Sequence, residues 1–164
     1  MTTATSRIQR AIGSAPHQTA RWLLVALSVC ISPMSYAQMN LDRLWVRAMP
    51  PTQTMTAAYG QLTNLADAPL TITGASSDIA ADTTLHESRQ TGDRMTMVAV
   101  TDKTLAPGEV LELKPGGFHL MLMGIKVMPA EGSEVEICVL SGEDRACAIA
   151  NVQRDADSMN HHHH

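Results

Sequence analysis

Apolar residues after about residue 38 recur in short alternating runs rather than at helical spacing. Alternation with a period of two is typical of strands that bury one face. Each run is bounded by Gly, Pro, Asp or Ser, which favour turns. The predicted strands are residues 44–47, 57–62, 70–74, 83–87, 95–100, 110–114, 118–123, 135–140 and 146–152. Seven to nine short strands of this kind predict an all-β, antiparallel sandwich.

The last two predicted strands form a hairpin around the turn at residues 141–144. If the turn centres on Gly142 and Glu143, Cys138 lies directly opposite Cys147. A cross-strand disulfide between these cysteines is the natural inference for an exported protein. The alternative is a redox-active or copper-binding thiol pair, although the eight intervening residues are unlike a Cys-x-x-Cys motif.

The first 37 residues have the organisation of a secretory signal peptide. Three arginines and no acidic residue accompany an apolar stretch at residues 22–31, which is too short for a comfortable membrane span. Small residues at Ser35 and Ala37 predict cleavage after Ala37 and export to the periplasm. The alternative is a lipoprotein signal that ends at Cys30, although the valine before it is not the small residue that such signals need.

The remaining chain has the size of one domain, predicted at residues 38–153. All 16 acidic residues lie after the leader, against nine Lys and Arg, so the net charge of this part is near −7. An acidic domain without a basic stripe argues against nucleic acid as a partner. A second apolar segment is absent from the sequence, so we do not expect an integral membrane protein. The polar residues 154–164 are predicted to form a flexible tail.

Histidine and methionine provide the candidate chemistry. The histidines between the leader and the tail are His86 and His119, and they belong to the pattern His-x10-Met-x21-His-x-Met with Met97 and Met121. Thioether sulfur is a poor ligand for zinc, calcium or magnesium and a good one for Cu(I). Taken singly, such residues are more often surface histidines and core methionines. As a set they predict a Cu(I) site, with affinity falling below about pH 6 as the imidazoles protonate.

Alternation along the strands sharpens this prediction. His119, Met121 and Met123 share one face of their predicted strand, and the intervening phenylalanine and leucines share the other, which we expect to be core. Met95 shares a face with Met97 in the same way. Met95 and Met123 are therefore auxiliary candidate ligands.

The C-terminal tail contains a second candidate metal site. Its members are Met159, His161, His162, His163 and His164. A histidine run prefers Cu(II), Ni(II) or Zn(II) to Cu(I), so we interpret the tail as a native Cu(II)-binding extension. The alternative is an expression tag, although tags usually have six histidines and leave out a leader.

The motif and its surroundings resemble those of the periplasmic copper chaperones called PCu(A)C. The four motif residues match the family's signature without a gap. The most specific stretch is Lys-Pro-Gly-Gly-Phe-His-Leu-Met-Leu-Met-Gly at residues 114–124, and the resemblance covers roughly residues 41–152. One departure is Glu87, after the first histidine, which concerns the surroundings of the ligands. We interpret Glu87 as a solvated carboxylate rather than a ligand.

The resemblance implies a cupredoxin-like, antiparallel Greek-key β-sandwich with a Cu(I) site made by the motif. It also implies delivery of copper to the CuA centre of cytochrome c oxidase subunit II, in company with a Sco-type thiol protein. The runner-up function is a periplasmic protein that sequesters copper for tolerance. We do not expect an enzyme, because the domain offers no spare histidine as a catalytic base, and blue-copper electron transfer needs a cysteine ligand near the motif.

Overall fold

A computed structural model describes residues 38–155, and the regular elements in this part of the chain are all β-strands. They are β1 (Met39–Arg47), β2 (Met55–Asn64), β3 (Leu70–Ile72), β4 (Gly74–Ser77), β5 (Asp82–Thr91), β6 (Arg94–Ala99), β7 (Lys103–Leu105), β8 (Val110–Leu113), β9 (Phe118–Met123), β10 (Glu134–Ser141) and β11 (Asp144–Gln153). No helix among these residues is long and apolar enough to cross a membrane. The predicted signal peptide, Met159 and the tail histidines lie outside the described residues.

Nine of the strands form one sheet in the order β4-β10-β11-β1-β2-β8-β9-β5-β6. β2 also pairs with β9, and β4 pairs with β5, so the sheet closes on itself around a single apolar core. β3 and β7 form a small second sheet. The all-β sandwich predicted from the sequence is therefore confirmed.

Two details of that prediction were wrong. The described residues contain eleven strands rather than seven to nine, because the predicted run 70–74 divides into β3 and β4, and β7 was missed. These strands have three or four residues each, too few to show an alternating pattern. The pairing is also not purely antiparallel, since β1 runs parallel to β11 and β8 runs parallel to β9.

β1 contains a bulge opposite β2. The register shifts between Asp42 and Trp45, so β1 has one residue more than its partner at this point. Gly60 faces the bulge, and a Cβ there would lie 2.7 Å from the carbonyl oxygen of Asp42 and 2.7 Å from Cδ2 of Leu44. The bulge absorbs the extra residue, so Leu44 still faces the core and Trp45 lies opposite Tyr59 on the other side of the sheet.

Asn64, at the end of β2, is a fully buried residue whose polar side-chain atoms all form hydrogen bonds. Its side-chain nitrogen donates to the carbonyl oxygens of Ala68, Leu105 and Ala106, at 2.9, 3.0 and 3.1 Å. Its side-chain oxygen accepts from the backbone N–H of Ala66 at 2.9 Å. This asparagine therefore ties the turn after β2 to the end of β7.

The C-terminal hairpin has the register predicted from its turn. Cys138 on β10 lies opposite Cys147 on β11, and the two form a disulfide. Cys138 is buried and Cys147 is exposed. Both sulfurs are engaged with each other, so neither is a free thiol ligand for a metal ion.

Candidate metal centre

Two histidines that are far apart in the sequence lie side by side in the sheet. His86 on β5 is directly opposite His119 on β9, and their ring centroids are 5.9 Å apart with an interplanar angle of 27°. His119 is 2% exposed, whereas His86 is half-buried. Tyr59 on β2 continues this row, with its ring centroid 6.2 Å from that of His119. We call the side of the sheet that carries these three rings the outer face.

Hydrogen bonds at Nδ1 orient both imidazoles. Nδ1 of His119 lies 3.1 Å from the carbonyl oxygen of Gly117, and Nδ1 of His86 lies 3.3 Å from the carbonyl oxygen and 3.2 Å from the hydroxyl of Thr84. A carbonyl oxygen only accepts, so Nδ1 of His119 carries the proton and its Nε2 keeps the lone pair, whereas the Thr84 hydroxyl can accept from or donate to Nδ1 of His86. Ligating histidines commonly have this arrangement, because the bond at the other nitrogen fixes tautomer and ring orientation. The structure therefore offers two oriented imidazole donors at neighbouring positions.

Nε2 of His119 is buried and has no hydrogen-bond partner. Leaving a buried polar atom unpaired costs about 1–3 kcal/mol, so such an atom calls for an explanation. Other buried atoms in the described residues share this condition, among them Oγ1 of Thr83 and Nε2 of Gln153. His119 differs from these because a second imidazole stands beside it. A soft cation between the two rings would satisfy both nitrogens.

The surroundings of His119 keep its ring neutral. Burial lowers the pKa of His119 below its ordinary value, because charge is disfavoured away from water. The hydrogen bond to Gly117 opposes this by raising the pKa, and the neighbouring His86 lowers it further. Nε2 is therefore unprotonated and ready to bind a cation at neutral pH.

The thioethers of the motif lie on two different strands, β9 and β6. Met121 follows His119 on the outer face and lies opposite Thr84, half-buried. Met97 lies on the edge strand β6, opposite Ser88, and is therefore diagonal to His86. Its side chain is 62% exposed. The structure thus brings both histidines and Met121 into adjoining positions, while Met97 stands in solvent one strand away.

The auxiliary candidates lie farther from the histidine pair. Met123 continues the outer face of β9 two residues beyond Met121. Met95 lies opposite Gln90 near the end of the β5–β6 hairpin and is 59% exposed. Glu87 points to the other side of the sheet, opposite Phe118, and pairs with Arg89 at 2.6 Å. The arrangement separates Glu87 from the lone pairs of the histidines.

An aromatic wall that the sequence analysis missed borders His119. Trp45 packs on Tyr59 with ring centroids 4.6 Å apart, and the guanidinium carbon of Arg47 lies 5.6 Å from the centre of the Tyr59 ring. Burial raises the pKa of Tyr59 and Arg47 lowers it by less, so the phenol is neutral. Trp45 and Arg47 belong to the predicted strand at residues 44–47, but their contact with Tyr59 depends on the bulge in β1.

A family model described as "Putative lipoprotein LpqE-like" matches residues 39–144 of the chain. A curated relative, the putative lipoprotein Lxx21020 of Leifsonia xyli subsp. xyli, is 28% identical over 122 residues. The match covers 74% of this chain and 72% of that protein. These matches span most of the described sandwich.

Solved structures of the same fold include two copper-loaded proteins. The Cu(I) form of DR1885 from Deinococcus radiodurans, determined in solution, is 28% identical, with a TM-score of 0.54 and coverage of 79% of this chain and 86% of that one. The copper-bound PCuAC domain from PmoF2 is 21% identical, with a TM-score of 0.60 and coverage of 72% and 94%. The fold is the cupredoxin-like sandwich predicted from the sequence.

Proposed function

The chain belongs to the family of LpqE-like putative lipoproteins, and from that premise we propose that it is an exported copper chaperone of the PCu(A)C type. The observation that carries the proposal is the pair His86 and His119, with both Nδ1 atoms held by carbonyls and the buried Nε2 of His119 unpartnered. The copper named in two structures of the same fold supports the choice of metal. The description of its relatives as putative lipoproteins supports export.

We propose that Cu(I) binds to His86, Met97, His119 and Met121. Two imidazoles and two thioethers are neutral, so the site keeps the single positive charge of the ion. These soft and borderline donors suit Cu(I) better than Zn(II) or Mg(II). A site without thiolate does not oxidise to a disulfide in the periplasm, and it releases the ion readily to an acceptor that has thiolates.

The proposed recipient is the CuA centre of cytochrome c oxidase subunit II, with a Sco-type thiol protein as a second partner. We further propose that Met159 and His161–His164 bind Cu(II) as a separate tail site. The protein acts by holding and transferring the ion, without chemistry on a substrate. Sequestration of copper for tolerance is the alternative that the transfer experiment below tests.

The first experiment is an anaerobic Cu(I) titration of the chain from Gln38 onward against a chromophoric competitor. The parent is compared with the double variant His86→Ala/His119→Ala, each with and without residues 155–164 so that the tail is assessed separately. We expect one tight equivalent in the parent and its loss in the double variant. Met128→Leu, a change of a partly buried methionine that packs on the core, is the control and should keep that equivalent. Equal, weak binding in the parent and double variant would contradict the proposal.

Transfer is tested by mixing the Cu(I)-loaded chain with the apo CuA domain of subunit II, with and without a reduced Sco-type protein. Delivery predicts that the CuA domain gains copper at the expense of the chaperone. A chain that keeps its copper against both partners would favour sequestration.

A further inference from the structure

Met55, a residue outside the recognised motif, lies beside one of the auxiliary methionines. Met55 opens β2 and is directly opposite Met123 on β9. The alternating burial of both strands puts these two residues on the outer face, since the core receives Ala58 and Leu122 from the intervening positions. Residues directly opposite in an antiparallel pair have Cβ atoms about 4.5–5.5 Å apart, within reach of two flexible thioethers.

Both of these methionines are open to solvent. Met55 is 46% exposed and Met123 is half-buried. On its other side Met123 lies opposite Asp82 of β5, an exposed residue. Met123 therefore stands between a second thioether and a carboxylate in one row across three strands. The carboxylate is too hard to be a preferred Cu(I) ligand, but its charge attracts a cation to the row.

The row connects to the histidine pair along β9. Met121 lies between Met123 and His119 on the same face, and residues two apart on a strand are separated by roughly 7 Å. Ala57, whose side chain is small, lies opposite Met121. Soft donors thus continue from an exposed strand end to the buried lone pair of His119.

We propose that Met55 and Met123 form a second, weaker Cu(I) site through which copper enters or leaves the histidine pair. The inference rests on the proposed binding of Cu(I) by His86 and His119. Two neutral thioethers without an imidazole select Cu(I) but hold it loosely. The ion then moves along β9 by exchanging one ligand at a time, from Met123 to Met121 and then to His119. No electron is transferred, and no bond other than a metal–ligand bond is made or broken.

The test is an anaerobic Cu(I) titration of the chain from Gln38 onward, followed by NMR of carbon-13-labelled methionine methyl groups and of the imidazoles. The first equivalent should move the signals of the proposed ligands, His86, Met97, His119 and Met121. A second equivalent should move those of Met55 and Met123, while the Met159 methyl reports the tail separately. In Met55→Leu the second response of Met123 should weaken by at least about tenfold, the loss typical even of groups that only support a ligand.

Met128→Leu is the matched control. Met128 is a partly buried methionine that packs on the core and is not a candidate ligand. This variant should keep both responses. If the methyl signals of Met55 and Met123 do not move while those of the histidines and Met121 do, the second site is overturned and the proposed function stays intact.

If the signals of the histidines do not move while those of Met55 and Met123 do, both the proposed function and the relay are overturned, and an isolated thioether site is left.

Discussion

Asn64 and His119 are both buried polar side chains, at 0% and 2% exposure, but their hydrogen bonding differs. All the polar atoms of the Asn64 side chain are bonded to backbone groups from two segments, the turn after β2 and the end of β7. His119 uses one ring nitrogen to fix its orientation and leaves the other without a partner beside His86. A satisfied buried polar group stabilises the fold, whereas an oriented and unsatisfied one is available to a ligand.

The largest expected effect is the loss of stability on replacing Asn64, the structural residue of this comparison. Asn64→Ala should lower the free energy of unfolding by about 4 kcal/mol, because three carbonyls and one N–H lose a buried partner and a cavity remains. The measurement is chemical denaturation of the apo domain. Asn40→Ala is the control, because the exposed Asn40 side chain bonds only to Asp42 among the contacts described, and it should change stability by less than about 0.5 kcal/mol. A loss below about 1 kcal/mol in Asn64→Ala would contradict the assigned role.

His119→Leu should have the opposite profile. Leucine has a similar volume and removes the unpaired nitrogen, so the unfolding free energy of the apo domain should change by no more than about 1 kcal/mol or rise. Cu(I) affinity should fall at least 100-fold, or about 2.7 kcal/mol. The two quantities are measured by denaturation and by competitor titration. A marked loss of stability with unchanged affinity would assign His119 to the same class as Asn64.

Gly60→Ala should disturb the wall beside His119. The added Cβ would meet Asp42 and Leu44 at 2.7 Å, so the bulge must shift, at a cost of about 2 kcal/mol. Trp45 is the tryptophan among residues 38–155, and its fluorescence should change as its packing on Tyr59 loosens. Gly74→Ala is the control, because the nearest atom to its Cβ would be at an ordinary 3.5 Å. Identical stability and fluorescence in both variants would show that the bulge tolerates a side chain.

The smallest expected effect is the pH dependence of the unfolding free energy that His119 causes. Because burial lowers the pKa of His119 in the folded state, the unfolded chain takes up this proton first as the pH falls below 6.5. The contribution of neutral His119 to the free energy of unfolding is therefore fully present above pH 6.5. It is lost as the pH falls through the lower pKa of the folded state. Its slope is at most about 1.4 kcal/mol per pH unit. The difference in unfolding free energy between the parent and His119→Leu, followed from pH 7.5 to 5, isolates it. A flat difference would mean that His119 titrates normally.

The sequence predicted those parts of the fold that depend on local pattern. Strand β9 has the predicted bounds, and its core face was assigned correctly because alternation is local. The register of the last hairpin was correct for the same reason, since a short turn fixes it. The adjacency of His86 and His119 was different, because it depends on which strands pair across 33 residues of chain. For that contact the sequence supplied a family signature, and strand periodicity alone did not predict it.

Side-chain details of the site could not be predicted from the sequence, for related reasons. The carbonyl of Thr84 holds His86 through a bond whose formation depends on the ring rotamer. To predict that Met55 lies opposite Met123, one must know the register between β2 and β9, which are separated by more than fifty residues. The exposure of Met97 follows from β6 being the last strand of the sheet. Each of these depends on long-range pairing, which single-strand patterns do not encode.

The bulge in β1 also has a consequence for comparing and recombining related sequences. Deleting one residue between Asp42 and Trp45 would restore regular pairing with β2 and leave Trp45 opposite Tyr59. Pairing every residue of β1 without a bulge would instead shift Trp45 by one position and turn it towards the core. A one-residue gap in an alignment at this point therefore keeps the inside and outside faces of the strand unchanged. A chimera that receives the metal centre must receive the bulge and Gly60 together.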